Sequence, residues 1–216
     1  MKDPYQKVAT RYDAFVEPFT NALRRIGIKM FPPKEEMLVL DVGCGTGSSL
    51  RLYADAGCRA FGIDASPSML AVAYDKLGGR AGLQLGDASQ MPFADDLFDL
   101  VVAMFALHEM PGEIRPLVMS ETVRILKGDG RILLIDYHSG RMGFPAGWFY
   151  KTVILFFEIA AGREHFKNYR DFMARKALSE LIVSRQLAIE KKKIVTGGNI
   201  GLHLLKKPDK HISDMI

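Results

Sequence analysis

Apolar and polar positions alternate in a regular order along most of this chain. Short apolar runs at Leu38–Val42, Arg59–Ala65, Leu83–Leu85, Leu100–Leu107 and Arg131–Tyr137 have strand length and strand composition. Between them, Ser48–Ala56, Ser68–Lys76 and Glu113–Leu126 carry apolar residues at helical spacing. Ser66-Pro67 supplies an N-cap and a first-turn proline for the second of these helices, and Lys127-Gly128-Asp129-Gly130 reads as a C-cap after the third. Such alternation predicts an α/β fold, a doubly wound and mostly parallel sheet with its ligand at the carboxyl ends of the strands.

The two ends of the chain depart from this rhythm. Residues 1–30 follow a helical pattern that Pro18 is expected to break. Phe144–Gly162 is the most apolar segment, 19 residues interrupted by Lys151 and Glu158. Those two charges lie two turns apart on one helical face and weigh against a membrane span, so a buried or lid helix is expected. Contact with lipid, or with a lipophilic substrate, is the sharper alternative. A polar-aromatic stretch with His165 in a turn follows, then a last crossover at Ala174–Arg185. Leu187–Val195 and Gly201–Lys207 read as an antiparallel strand pair joined by Thr196–Asn199. Lys191, Lys192 and Lys193 suit an edge strand.

The chemistry gathers where the first strand ends. Gly43, Gly45 and Gly47 alternate directly after it, where a backbone without Cβ can turn tightly and let a ligand approach. A dinucleotide fingerprint would need its third glycine at position 48, which is Ser48. Asp41 precedes the first glycine by two residues; a carboxylate there repels a pyrophosphate but suits a ligand with cationic groups. Asp64 ends the second strand 17 residues after Gly47, near the spacing at which an acid takes both hydroxyls of a ribose. Asp87 ends the third strand.

VLDVGCGTG resembles motif I of the class I S-adenosylmethionine (SAM)-dependent methyltransferases. GDA-x-x-MPF-x-DD-x-FD, starting at Gly86, resembles that family's adenine-side loop, and LKGDGRILLIDY is similar again. The resemblance spans about residues 39–137 and is nearest to the small-molecule enzymes of ubiquinone and menaquinone biosynthesis. It implies a seven-stranded Rossmann-like sheet with an antiparallel C-terminal strand pair, built as one methyltransferase domain. Within it, 1–32 would form a helical cap, 38–137 the SAM-binding core, and 138–216 the substrate-side helices and last strands. Cofactor contacts are implied for Tyr12, Asp41, Gly43, Gly45, Gly47, Asp64, Ala65, Asp87 and Ala88. Asp87 would accept from the adenine amino group and the Ala88 N–H would meet a ring nitrogen. His108 is the leading catalytic residue, because the family often places a histidine there facing the methyl; Glu109, Tyr137, His138 and His165 are the other candidates near the strand ends. The expected product is S-adenosylhomocysteine.

Absences narrow the substrate. FALHEMP stands where amino-group methyltransferases carry an N/D-P-P-Y/F string, which discounts nucleobases and glutamine. Metal-dependent catechol methylation needs acids after strands four and five. Strand four ends without one, so no metal is expected. A small, apolar acceptor such as a quinone precursor or lipid-like molecule remains. The alternatives are a SAM-binding protein with altered chemistry and an NAD-dependent oxidoreductase; Ser48 and the Asp87 loop oppose the latter.

Composition changes this picture little. The net charge of +4 is mildly basic and forms no block, so no nucleic-acid partner is expected, while peripheral contact with an anionic membrane stays open. Cys44 and Cys58 make neither a disulfide framework nor a zinc motif, and no signal peptide is visible, which together predict a cytoplasmic protein.

Overall fold

The computed structural model describes residues 3, 5, 6 and 9–208, and the side chains of 11–16 fall outside what it describes. Its spine is a seven-stranded sheet in the order β3-β2-β1-β4-β5-β7-β6. The strands are β1 (Leu38–Val42), β2 (Arg59–Asp64), β3 (Ala81–Leu85), β4 (Phe98–Met104), β5 (Leu126–Tyr137), β6 (Ala188–Val195) and β7 (Ile200–Lys206). β1 to β5 pair in parallel, while β7 runs antiparallel to β5 and to β6, as the terminal strand pair implies. Helices α1 (Ala9–Met30), α2 (Ser48–Asp55), α3 (Pro67–Leu77) and α4 (Ile114–Ile125) accompany the first five strands. Then come α5 (Ala146–Ala160), α6 (Arg163–Ala174) and α7 (Leu178–Ser184).

Buried on both faces, the central strands split the core in two. Leu40, Val42, Val101, Ala103, Ile132 and Leu134 pack toward α4 and α7. Val39, Leu100, Val102, Leu133 and Ile135 pack toward α1 and α2. Near-continuous apolar strands are what a doubly covered parallel sheet requires.

Several expected boundaries move, each for a local reason. Pro18 does not break α1, which runs on to Met30. The bond that proline forfeits is outweighed by packing, with Thr20, Leu23 and Met30 buried against the domain. The fourth strand begins at Phe98, which pairs with Leu126, and stops at Met104 instead of running to Leu107. Phe105 has φ 53°, a left-handed conformation rare for an aromatic residue, and it turns the chain out of the sheet. Lys127–Gly130 is not a cap: Leu126 is already extended, and the strand starts there. His165 lies within α6, not in a turn. The last crossover helix is only Leu178–Ser184.

The largest correction concerns 144–162. Of α5, only Gly147 and Glu158 are buried. Trp148 (58% exposed), Phe149 (67%), Phe156 (68%) and Ile159 (59%) face outward, and Lys151 and Glu158 face the protein. The helix is inside out with respect to an ordinary surface helix.

Arg115 locks α4 and α6 to the turn after β4. Wholly buried, it donates to the carbonyls of Leu107 (3.0 Å) and Asn168 (2.6 Å) and to Asp171 (2.8 Å), and its guanidinium lies over the Phe172 ring. Arg115→Ala leaves the carbonyls of Leu107 and Asn168 without their donor, while Asp171 keeps Arg175, so urea unfolding should show a loss of about 3 kcal/mol. An unchanged midpoint would show that water serves both carbonyls.

Candidate functional site

The strand ends of β1, β2 and β3 come together around the glycine turn. Gly43 has φ 70°, and a Cβ there would lie 2.6 Å from that of Ala106, so only glycine lets the turn pass this close to the end of β4. Gly45 has φ 53° and a Cβ on it would point into open space, the place where a ligand meets bare backbone. Gly47 caps α2, whose first N–H groups receive no side-chain cap. Asp64 reaches across this turn: its carboxylate accepts from the N–H of Gly45 and of Ser66, both at 2.8 Å. Burial raises the Asp64 pKa against the pull of those two N–H groups.

Asp41 is 2% exposed, and its Oδ1 has no hydrogen-bond partner among the described residues. Burial lifts its pKa to about 7 despite the charge of Arg24. Asp87 is exposed at the end of β3, where it accepts from the N–H of Ser89 (2.8 Å) in an Asx-type turn. Ala65 is exposed and Ala88 half-buried beside these acids. The adjoining MPFADD loop is fastened from below. Glu121 accepts from Met91 N–H, and Arg124 holds the carbonyls of Met91 and Phe93 and the carboxylate of Asp95. Its acids are therefore structural. Tyr12 belongs to α1, but its side chain lies outside the described residues. Residues 3 and 5 cross the strand ends: Asp3 accepts from Ser66 Oγ (2.9 Å) and Ser68 N–H (3.0 Å), and the Tyr5 hydroxyl donates to Glu109.

A second group of side chains meets at the ends of β4 and β5. Asp136, 1% exposed, accepts from the N–H groups of Leu107 and His108 (both 3.2 Å) and of Tyr137 (2.8 Å). It also holds His108 Nδ1 at 2.7 Å, which leaves Nε2 facing away from β5. Nε2 lies 3.6 Å from Glu158 and 4.0 Å from Glu109. Glu158 accepts from the Tyr137 hydroxyl at 2.7 Å, and its other oxygen lies 3.0 Å from His165 Nε2. Lys151 donates to the Tyr169 hydroxyl at 2.5 Å. Burial opposes charging His108, but Asp136, Glu109 and Glu158 outweigh it and lift its pKa to about 9. The Glu158 pKa is lowered because His165, His108 and Tyr137 together overcome its burial. His138 stands apart from this group, its pKa lowered by burial and by Lys192.

Comparison with known proteins agrees with this layout. A family model described as a methyltransferase domain matches residues 40–134. A demethylmenaquinone methyltransferase of Bacillus velezensis is 30% identical over 191 residues, covering 79% of each chain. The chain belongs to the class I SAM-dependent methyltransferases. A ubiquinone/menaquinone biosynthesis C-methyltransferase, UbiE, of Sinorhizobium fredii is 28% identical over 203 residues, 81% of this chain and 78% of that one. A SAM-dependent methyltransferase structure from Aquifex aeolicus shares the fold, with a TM-score of 0.65 at 17% identity over 95% of this chain and 98% of its own.

The methyltransferase uses SAM, and the residues at its strand ends fit that cofactor. The orphaned Asp41 oxygen would suit an ammonium, the open backbone of Gly45 would admit an amino-acid chain, and the Asp64 carboxylate at the end of β2 would suit ribose hydroxyls. His165 is among the sequence's candidates, whereas Glu158 and Arg115 were not singled out by sequence for what they do here. The signal for Glu158 was a charge in an apolar helix, which reads first as an interruption.

Asp41 generates a pH prediction. Its folded pKa lies above the unfolded carboxylate value, so the protonated form is favoured up to about pH 7. A cationic ligand needs the ionised form. SAM affinity should therefore rise roughly tenfold or more between pH 5.5 and 7 and level off only above about pH 8, with proton release on binding that fades over the same range. Titration calorimetry in buffers of different ionisation enthalpy measures this, and Asp41→Asn should abolish the proton release. Release that persists in the variant would assign the proton to another group.

Proposed function

We propose that this methyltransferase carries its methyl group to a small lipophilic acceptor of the demethylated quinone type named in its relatives, collected at a lipid surface. The observation that carries this reading is the reversed polarity of α5. Its outer face offers Trp148, Phe149, Phe156 and Ile159 to the surroundings, and its inner face delivers Glu158 to the ends of β4 and β5. One helix thus joins an apolar surface to the polar reaction end. Beside it, Arg163, Lys167 and Arg170 are exposed on α6 at helical spacing and suit anionic head groups. No helix among the described residues is long and apolar enough to cross a membrane, so any contact is made from the surface.

SAM supplies a methyl group already activated on a sulfonium, so the protein contributes mainly position, worth up to roughly 7–11 kcal/mol in well-oriented cases. In the proposed arrangement the turn of Gly43, Gly45 and Gly47 cradles the amino-acid end, with Asp41 on its ammonium. Asp64, with Ala65 beside it, takes the ribose hydroxyls, Asp87 and the Ala88 N–H take the adenine, and Tyr12 closes over the cofactor. His108 faces the acceptor, whose hydroxyl proton passes to water, and Asp136 holds the imidazole ring in place. A ring carbon ortho to the resulting oxyanion is a nucleophile that needs no stronger base.

Two experiments test the two ends. Asp64→Ala should weaken SAM binding about ten- to a hundred-fold with the fold intact, because hydrogen bonds to charged groups contribute about 1.5–3 kcal/mol. Normal binding would reduce Asp64 to a helix-start residue. Replacing Trp148, Phe149 and Phe156 together by serine should raise KM for a short-chain demethylated naphthoquinol about tenfold or more at unchanged SAM affinity. The same variant should lose co-sedimentation with phosphatidylglycerol-containing vesicles. Unaltered KM and vesicle binding would remove α5 from acceptor capture.

A further inference from the structure

Three side chains from three separate elements aim nitrogen and oxygen atoms at one buried point. His108 follows β4, Glu158 ends α5 and His165 opens α6. One ligand-capable atom from each lies within 4.8 Å of the other two. The 3.6 Å from His108 Nε2 to Glu158 Oε1 is too long for a hydrogen bond. Glu158 Oε2 sits at ion-pair distance from His165 Nε2, 3.0 Å, and this buried oxygen makes no hydrogen bond among the described residues. Glu158 is 4% exposed, so water does not serve it either. A buried carboxylate oxygen without a partner costs free energy unless something cationic belongs there.

We propose that His108, Glu158 and His165 hold a first-row divalent cation of the zinc or cobalt kind. Donors about 2.1 Å from a tetrahedral ion stand roughly 3.4 Å apart; His165 Nε2 lies 3.0 Å from Glu158 Oε2, His108 Nε2 lies 3.6 Å from Glu158 Oε1, and one donor atom from each of the three residues falls within 4.8 Å of the other two, so a small shift of the carboxylate brings them to that spacing. Two imidazoles and one carboxylate select such ions over magnesium or calcium, which prefer oxygen alone, and leave a fourth position open. The surroundings complete the set. Asp136 takes His108 Nδ1 at 2.7 Å and so turns Nε2 outward, the carboxylate–histidine pairing that orients metal-bound imidazoles. Tyr137 fixes the other oxygen of Glu158 at 2.7 Å. Glu109 stands 4.0 Å from His108 Nε2.

The sequence argues against a metal because strand four ends without an acid. The acid comes instead from α5, fifty residues on from His108, with its orientation set by the reversed helix. The inference rests on the methyl-transfer reading only for the ion's use: an acceptor hydroxyl taking the fourth position exchanges its proton to water for a bond to the ion. Its oxygen then carries the electron pair that activates the ring.

Binding is tested without any acceptor. The purified full chain is stripped with a chelator and titrated with cobalt(II) by visible absorption and with zinc(II) by calorimetry. One equivalent should bind in the micromolar range or tighter, with the intense visible bands of a four-coordinate site, and a large excess of magnesium should not displace it. Glu158→Gln and His165→Ala should each weaken binding at least a hundred-fold, Asp136→Asn ten- to a hundred-fold, and His138→Ala not at all. SAM affinity of each variant, measured alongside, reports that the fold survives. No stoichiometric binding by the unmodified chain, or binding untouched in both Glu158→Gln and His165→Ala while SAM still binds, would overturn the site. Methyl transfer to a quinol by metal-free protein at full rate would confine the ion to a structural role and leave the acceptor reading standing. Metal binding without transfer to any quinol would do the reverse.

Discussion

Asp136 is the residue on which the reaction end depends. One buried carboxylate accepts four hydrogen bonds, three from backbone N–H groups and one from the His108 ring. It joins the end of β5 to the turn after β4, and that turn exists because Phe105 leaves the sheet with φ 53°. A left-handed aromatic residue costs of order 1–3 kcal/mol and persists only where its surroundings hold it. Here Asp136 fastens Leu107 and His108 just beyond it, and Arg115 ties down the Leu107 carbonyl from the other side. Strain, carboxylate and guanidinium together fix one imidazole in one orientation.

That fixed imidazole explains why α5 is built inside out. A helix that must bring an acid to His108 has to turn its polar stripe inward, and Lys151 and Glu158 occupy that stripe two turns apart. Lys151 is half-buried against Tyr169, where burial lowers its pKa. Trp148, Phe149, Phe156, Phe157 and Ile159 are left on the outside. In water alone such a surface is a liability, because a contiguous exposed apolar patch promotes association. Against a lipid surface, or with a lipophilic molecule passing over it, the same patch is a gain. Reaction chemistry on the inside and capture on the outside thus come from a single segment.

Most of the cofactor end was legible because its information is local. The glycine turn, Asp64 at the end of β2 and the Ser66-Pro67 helix start each occupy a few adjacent residues, and periodicity ordered the strands around them. The reaction end was not legible in the same way. Glu158 and His165 meet His108 only through the relative placement of α5, α6 and β4, and nothing within any of these segments encodes that meeting. Hydropathy also misled: an apolar run suggests a buried helix, and whether its apolar side faces the core or the surroundings depends on partners far along the chain. Pro18 and Lys127–Gly130 failed for a related reason. Local breakers were overruled by packing of α1 and by pairing of Phe98 with Leu126.

The two ends of the site also differ in how they handle charge, and that difference follows from their tasks. Around the glycine turn, acids are left without a full complement of partners: Asp41 has an orphaned oxygen and a raised pKa. Such a site is poised for a cation that arrives and departs each cycle, since an acid already neutralised by a lysine or arginine would have no reason to release it. Around His108 the donor atoms of two imidazoles and a carboxylate converge within 4.8 Å, and one buried oxygen of Glu158 makes no hydrogen bond among the described residues. Positive charge therefore suits both places. At the cofactor end it comes with the ligand, whereas at the reaction end the residues that attract it are locked by hydrogen bonds to the sheet. A positive charge bound there stays through turnover, and the acceptor meets it in the same position each time.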